Sequence, residues 1–164
     1  MVRKILLLGD ETLYEKSDLV SQAELSQLQP VVRDLHDTLM DFRVRYGAGR
    51  AIAAPQIGVM KRLIYMHVDH PVALINPTIR FPDGGLMEVL DDCMSFPGLY
   101  VKVMRHDRCV VQYRDMDWNE CEMTLEGDLS ELIQHEYDHL DGILAVMRAK
   151  DERSLVMKKR PIFN

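Results

Sequence analysis

The segment that most constrains this chain is HEYDH at residues 135–139, an instance of the pattern HExxH. Side chains four residues apart lie on the same face of an α-helix, so the pattern predicts a helix that directs His135 and His139 at one metal ion. Glu136 then lies beside the ion, where a carboxylate can take a proton from a water molecule. At this chain's content of His and Glu, chance gives roughly 0.01 such patterns. We therefore favour a metal site over an exposed helix whose histidines serve only as hydrogen-bonding groups.

The reaction class of an HExxH site depends on its third ligand. The longer zinc-protease pattern HExxHxxGxxH is absent, because Ala145 stands in place of its last histidine. No further histidine follows, and the only later glutamate, Glu152, lies in a short charged segment, so the third ligand comes from upstream or is a water. Cys93 is the upstream candidate, because a thiolate binds zinc or iron strongly, and one Cys with two His leaves a catalytic fourth position open. Taken alone, such a cysteine is more often a small buried apolar side chain.

A third informative segment is GAGRAIAAPQIG at residues 47–58. Its small residues let a substrate or another part of the backbone approach closely, and the side-chain amide of Gln56 can donate to an oxyanion. A phosphate-binding loop is disfavoured, since GK[ST] is missing and the net charge of the chain is -6. Taken alone, the segment is more typical of a turn packed against the core.

Apolar periodicity predicts an α+β fold. A first helix is predicted over about residues 30–45, with Pro30 in its first turn. A second is predicted over residues 129–140, with Asp128 and Glu131 forming a capping box and Gly142 ending it. The predicted strands cover residues 62–68, 72–76, 99–105, 108–114 and 121–126, with a hairpin turn at 115–119. This order predicts antiparallel sheets packed around a central HExxH helix.

Composition indicates a single globular domain over residues 1–164, with 47% hydrophobic and 28% charged residues. No apolar run reaches the roughly 20 residues that span a membrane, and the apolar N-terminal stretch is too short for a secretory signal, so we expect a cytoplasmic protein without a membrane partner. Three cysteines suit a reducing compartment, and Cys109 and Cys121 are expected to be buried. The net charge of -6 argues against DNA binding. The basic cluster KKR at residues 158–160 is expected to be a solvated tail, with a ribosome contact as the weaker alternative.

Three segments, in this order, resemble the signature motifs of the peptide deformylase family. The glycine-rich motif GxGxAAxQ is similar to residues 49–56 (GRAIAAPQ), and the cysteine motif EGCLS is similar to residues 91–95 (DDCMS). The helix motif QHExDHL matches residues 134–140 in full, and residues 9–13 (GDETL) resemble the start of the family. The resemblance covers most of the chain. It implies a deformylase-like α+β fold and removal of the formyl group from the N-terminal formylmethionine of new polypeptides, with release of formate.

The same resemblance implies the roles of individual residues. Cys93, His135 and His139 would hold one divalent ion, typically Fe(II) in this family and replaceable by zinc or nickel. Glu136 would be the general acid and base. The groups that would stabilise the oxyanion or bind the substrate are the following: the amide of Gln56, the backbone N–H of Met94, and Gly49, Ala51, Asp91, Asp92 and Leu132, the last as a wall for the methionine side chain.

The chain also departs from the family pattern near these residues. Asp91 replaces a glutamate and is expected to pair with Arg105. Asp92 replaces a glycine, which is costly if the position has positive φ. Ala51 and Arg50 replace a glycine and an apolar residue. The first interpretation is a working peptide deformylase. Because of these changes, a deformylase-like amidohydrolase that acts on a different N-acyl substrate is the second. A non-catalytic metal-binding or ribosome-binding relative is the third.

Overall fold

The structure, a computed structural model, describes residues 1–158, a span that contains two α-helices and eight strands. The elements are, in order, α1 (Leu25–Tyr46), β1 (Ala51–Ala53), β2 (Leu63–His67), β3 (Pro71–Arg80), β4 (Leu86–Asp92), β5 (Leu99–His106), β6 (Arg108–Arg114), β7 (Glu120–Glu126), α2 (Asp128–Leu140) and β8 (Leu155–Met157). Four 3-10 turns connect them, at Glu11–Tyr14, Gln22–Glu24, Ala54–Ile57 and Ala145–Arg148. Within this span, neither helix combines the length and the apolar character needed to cross a membrane.

The strands form two antiparallel sheets, and α2 lies between them. The larger sheet has the order β1-β2-β3-β6-β7 and the smaller one the order β4-β5-β8. Helix α2 contacts β1, β2 and β7 of the larger sheet and β5 of the smaller one, and nine of its thirteen residues are buried. The predicted α+β class with antiparallel sheets is confirmed.

The core is divided by the larger sheet. Along β2, Leu63 and Tyr65 point to the face covered by α1, whereas Ile64 and Met66 point to the face covered by α2. This alternation follows from the two-residue period of a strand. A third apolar cluster, which includes Val101, lies beneath the smaller sheet. The larger sheet and α2 are therefore apolar on their facing sides, and this packing fixes the position of α2.

Strands β1 and β4 are each the first strand of their sheet. Strand β1 pairs only with β2, and β4 pairs only with β5, among residues 1–158. Each therefore has one edge at which backbone N–H and C=O groups are free of a neighbouring strand. Such edges accept an added strand.

Helix α1 begins five residues earlier than predicted, at Leu25. The side chain of Glu24 accepts a hydrogen bond from the backbone N–H of Ser21 at 2.7 Å, and this capping box starts the chain turning before the helix proper. Pro30 consequently lies at the sixth helical position and not in the first turn, so the prediction for Pro30 is wrong. A proline there leaves the carbonyl of Ser26 without its usual helical donor. The helix ends at Tyr46 and is capped by Gly47, which has φ +66°.

Helix α2 begins at Asp128, with Gly127 before it and no side-chain cap. The predicted capping box of Asp128 and Glu131 is therefore wrong, because the carboxylate of Asp128 pairs with Arg50 instead, at 2.7 Å. The predicted end at Gly142 is confirmed in substance: the helix ends at Leu140, and Gly142 has φ +71° two residues later.

Most predicted strands are confirmed to within a few residues, but three strands were missed. Strand β1 has only three residues, all buried, so it shows no alternation. Strand β4 exposes Leu86 and Leu90, which weakens its pattern, and β8 exposes all three of its residues. Cys109 is buried as expected, whereas Cys121 is only half-buried, so that expectation is wrong. The single-domain organisation over residues 1–164 stays a prediction.

Candidate active site

Three potential metal ligands converge from two separate elements. His135 and His139 project from α2, and Cys93 follows directly after β4. The Nε2 atom of His139 lies 3.3 Å from the Nε2 atom of His135 and 3.3 Å from the Sγ atom of Cys93. All three donor atoms lie within 4.8 Å of one another, and all three residues are buried. The four-residue spacing of the histidines on one helix face produces this convergence.

The donor set fits a metal ion. With bonds of about 2.0 Å to nitrogen and 2.3 Å to sulfur, donors around a tetrahedral ion are separated by about 3.3–3.6 Å. The two measured separations of 3.3 Å agree with this geometry. Burial, helped by the nearby His135, holds the pKa of His139 well below its ordinary value. Burial also lowers the pKa of His135, but Asp91 and Cys93 outweigh burial and raise this pKa well above its ordinary value. A metal ligand must be a neutral imidazole, so His139 is in the required form and an ion that binds His135 displaces a proton. Two imidazoles and one sulfur at these distances suit one ion with a vacant fourth position.

A buried carboxylate orients the first of the two histidines. The Nδ1 atom of His135 lies 2.8 Å from Oδ1 of Asp91, and Oδ2 of Asp91 accepts a hydrogen bond from Arg105 at 2.9 Å. Burial alone raises the pKa of Asp91, but His135 and Arg105 outweigh burial and lower this pKa to about 2. Asp91 is therefore ionised, and a carboxylate on the far nitrogen of a histidine fixes the ring with its other nitrogen facing the ion.

Glu136 lies beside the donor atoms in a buried position. Burial raises the pKa of Glu136 to about 7, with His135 opposing the rise and Asp91 adding to it. Its Oε2 atom has no hydrogen-bond partner among residues 1–158. A buried carboxylate oxygen without a partner is rare in native proteins and is typical of a group that acts on a substrate or a water. Glu136 can thus exchange a proton at the centre.

The amide of Gln56 is held by both of its ends. Its Oε1 atom accepts from the backbone N–H of Ala53 at 2.9 Å. This bond orients the amide so that the Nε2 atom faces the three potential metal ligands. Its Nε2 atom donates to Oγ of Ser95 at 3.1 Å and lies 3.5 Å from Sγ of Cys93. The donor end of Gln56 therefore faces the place where the three metal donors meet.

Cys93, His135 and Glu136 line a cavity of about 590 Å³. Its wall contains the remaining residues that the resemblance implies, namely Gly49, Ala51, Asp91, Asp92, Met94 and Leu132. Gly49 has φ +120°, and a β-carbon there would press on Leu39, so the close approach of this segment to α1 needs glycine. Strands β1 and β4, the two free edges described above, both supply residues to the wall.

The departures from the family pattern are accommodated by ion pairs at the cavity rim. Among non-glycine residues of the described chain, only Asn76 and Trp118 have positive φ, so Asp92 is not strained. Its carboxylate instead pairs with Lys158. This contact uses the first residue of the basic cluster, and residues 159 and 160 lie outside the described part of the chain. Arg50, on the opposite side, pairs with Asp128 at 2.7 Å.

Sequence reasoning missed several residues of the site. Ser95 lies in the cysteine segment but was given no role. Glu131 was assigned to a cap, yet it lines the cavity, and burial raises its pKa to about 6, with Asp91 adding to the rise. Asp138, inside the HExxH pattern, binds Arg105 and Arg148. HExxH leaves this position open, but the family motif QHExDHL specifies an Asp there, and this fixed Asp138 was the signal that could have indicated a role.

The fold and the site together define the class of protein: an α+β protein of the metal-dependent hydrolase type, with a possible metal site on an HExxH helix lying between two antiparallel sheets. Comparison with known proteins narrows this class. The family model for polypeptide deformylase matches residues 2–154. A peptide deformylase of Dictyoglomus turgidum is 35% identical over 162 residues, covering 97% of this chain and 100% of the relative. One of Treponema pallidum is 37% identical over 152 residues, covering 92% of this chain and 90% of the relative.

Solved structures agree with the family match. The peptide deformylase of Thermotoga maritima superimposes with a TM-score of 0.84 at 30% identity, over 92% of this chain and 99% of that structure. A peptide deformylase from Synechococcus elongatus, solved in complex with actinonin, gives a TM-score of 0.82 at 33% identity, over 90% and 79% of the two chains. This chain belongs to the polypeptide deformylase family, so the family prediction from sequence is confirmed.

Proposed function

We propose that this chain removes the N-formyl group from the N-terminal formylmethionine of nascent polypeptides and releases formate. The observation that carries the proposal is the convergence of Cys93, His135 and His139, with Cys93, His135 and Glu136 lining a cavity of about 590 Å³. Family membership supports the same reaction.

The proposed ligands of the metal are Cys93, His135 and His139. A divalent ion bound there supplies Lewis acidity, which polarises the formyl carbonyl and acidifies a water. We propose Fe(II) as the physiological ion, with zinc and nickel as working replacements, because a thiolate with two imidazoles suits these metals. The donor set disfavours magnesium and calcium, which prefer oxygen ligands.

The proposed chemistry assigns each remaining step to a residue of the chain. Glu136 takes a proton from the attacking water as the water oxygen bonds to the formyl carbon. The amide of Gln56 and the backbone N–H of Met94 donate to the developing oxyanion. Glu136 then delivers the proton to the amine nitrogen as the C–N bond breaks, so that formate and a free amine leave. Leu132 contacts the methionine side chain.

A formate-release assay tests the proposal. The protein is loaded with one equivalent of Fe(II) without oxygen and is given formyl-Met-Ala-Ser. We expect one formate per peptide, and no product from acetyl-Met-Ala-Ser, because the extra methyl group must fit beside the buried donors. A chain that binds one ion but releases no formate would contradict the proposal.

Replacing Glu136 with Gln tests the acid and base role. The amide keeps the size of the side chain but cannot carry the proton, so we expect kcat to fall by about 10²–10⁴-fold. Bound metal, measured by elemental analysis, should stay at one ion per chain. The exposed Glu152→Gln variant is the control and should keep full activity. Unchanged turnover in Glu136→Gln would refute the role.

A different N-acyl substrate is the second candidate, and the residues at the rim favour testing it. Arg50, Ala51 and Asp92 differ from the family pattern and line the cavity. Formyl-Met peptides should be compared with formylated amines that lack methionine. A higher kcat/KM for the latter would favour this second function.

We further propose that the enzyme works in the cytoplasm, where nascent chains emerge from the ribosome. The net charge of -6 disfavours binding to DNA. Residues 158–160 are the candidate ribosome contact, although Lys158 already pairs with Asp92. Salt-dependent cosedimentation with ribosomes, compared with a K159A/R160A variant, tests this contact.

A further inference from the structure

A row of alternating charges connects the metal centre with the surface. The row starts at His135, whose Nδ1 atom lies 2.8 Å from Oδ1 of Asp91. Arg105 donates from Nη2 to Oδ2 of Asp91 at 2.9 Å and from Nη1 to Oδ2 of Asp138 at 2.5 Å. Arg148 binds the same Asp138 with two hydrogen bonds, from Nε to Oδ2 at 2.6 Å and from Nη2 to Oδ1 at 2.7 Å.

The charges in this row balance only when Arg148 is included. Asp91, Arg105 and Asp138 are buried, so two carboxylates share one buried guanidinium. Arg148 supplies the second positive charge from the surface. It also donates to the same oxygen of Asp138 that Arg105 uses. A buried charge that loses a partner is strongly unfavourable. Without Arg148, Asp138 would therefore depend on Arg105 alone and pull it away from Asp91.

The backbone around Arg148 places this residue next to the row of charges. Arg148 ends the 3-10 turn Ala145–Arg148, and the next residue, Ala149, bridges to Val103 of β5. Arg105 lies two residues further along the same strand. The backbone next to Arg148 is thus tied to the strand that carries Arg105.

We propose that Arg148 is a positioning residue for the deformylase reaction. By holding Asp138, it leaves Arg105 able to fix Asp91, and Asp91 in turn fixes the ring of His135. The inference rests on the proposed function, since it takes His135 as a metal ligand.

The test compares Arg148→Met with Arg148→Lys in protein loaded with Co(II). The control is Arg108→Met, because Arg108 is 47% exposed and pairs with one carboxylate, Glu126, while Arg148 is 45% exposed. The rate of Co(II) release to a chelator and the visible absorption of the bound ion are measured. We expect release to be about tenfold faster in Arg148→Met, with a changed absorption spectrum, since carboxylates behind metal ligands typically alter affinity by 10–100-fold. Lys keeps the charge but not the two-pronged geometry, so Arg148→Lys should lie between native protein and Arg148→Met.

Each outcome separates this inference from the proposed function. If the unaltered protein fails to bind one Co(II), the proposed function is wrong. If it binds Co(II), and Arg148→Met keeps the native release rate and spectrum, only the role of Arg148 is wrong. A general loss of stability would leave the spectrum of bound Co(II) unchanged, so an altered spectrum identifies positioning. If Arg148→Met does not fold, Arg148→Gln replaces it under the same criteria.

Discussion

The two ends of the Gln56 amide would have separate tasks in the proposed reaction. The oxygen is held by Ala53, so the nitrogen faces Cys93 and Ser95, at the point where the oxyanion would form. Fixed donors are effective in catalysis because they do not need to reorganise when charge develops. The position of Gln56 on the 3-10 turn Ala54–Ile57, directly after β1, provides this rigidity.

Replacing Gln56 with Glu tests the donor role. The carboxylate still accepts from Ala53, but it offers no N–H to the oxyanion. We expect kcat to fall by about 10²–10³-fold, with a smaller change in KM. Steady-state formate release measures both constants. The same change at the exposed Gln27 in α1 is the control and should have no effect. A larger effect on KM than on kcat would argue for substrate binding instead.

At the residue scale, the sequence identifies side chains whose chemistry is rare and whose spacing is fixed. His135, Glu136 and His139 belong to this group because helical geometry relates them. Their supporting partners cannot be found in this way. Arg105 lies on a different strand and Arg148 follows in a turn, and only the tertiary packing brings both to Asp138.

At the scale of elements, the turn after α2 is determined by one glycine. Gly142 has φ +71°, and a β-carbon at this position would overlap the backbone carbonyl of Tyr14. The backbone N–H of Ser17 also donates to the carbonyl of Leu140 at 2.9 Å. The N-terminal segment is therefore packed directly against the end of the helix that carries both histidines.

We expect Gly142→Ala to lower the free energy of unfolding by about 2–4 kcal/mol, because backbone strain and steric overlap add together. Gly58→Ala is the matched control, since Gly58 has φ +78° but no atom within 4 Å of the added carbon. It should lose only about 1 kcal/mol. Urea unfolding measures both variants. Equal losses would show that the contact with Tyr14 is unimportant.

Elements with a clear period are predictable from sequence, and those without one are not. Strand β6 was predicted with its observed ends, Arg108–Arg114. Strand β1 has three residues, all buried, and packs against α2. Strand β4 exposes Leu86 and Leu90 but buries Asp91, which lies against His135 of α2. Both patterns therefore depend on a helix that is distant in sequence. The early start of α1 is not predictable from Pro30, because proline is typical of a first turn, whereas Pro30 stands at the sixth position of this helix.

At the scale of the whole molecule, the three proposed metal ligands come from parts that belong to different layers. Cys93 follows β4 of the smaller sheet, while both histidines come from α2, which packs on the larger sheet. An ion bound by all three would cross-link these layers in the native state alone. Binding to the native state raises its stability by mass action.

Removing the metal should therefore lower the melting temperature. At free ion 100 times above Kd the native state gains about 2.7 kcal/mol, which corresponds to about 5–10 °C for a chain of this length. Differential scanning calorimetry with and without a chelator measures the change. Cys93→Ala is the control and should respond much less to the chelator. An unchanged melting temperature in the unaltered chain would contradict ligation from both layers.

The free edges of β1 and β4 have a consequence for the range of substrates. A polypeptide that adds to such an edge is held through amide groups, and every polypeptide carries the same amides. Beyond the formylated first residue, recognition of this kind ignores which side chains follow. One catalyst can then serve a whole proteome, and its selectivity lies in the chemistry of the terminus it cuts.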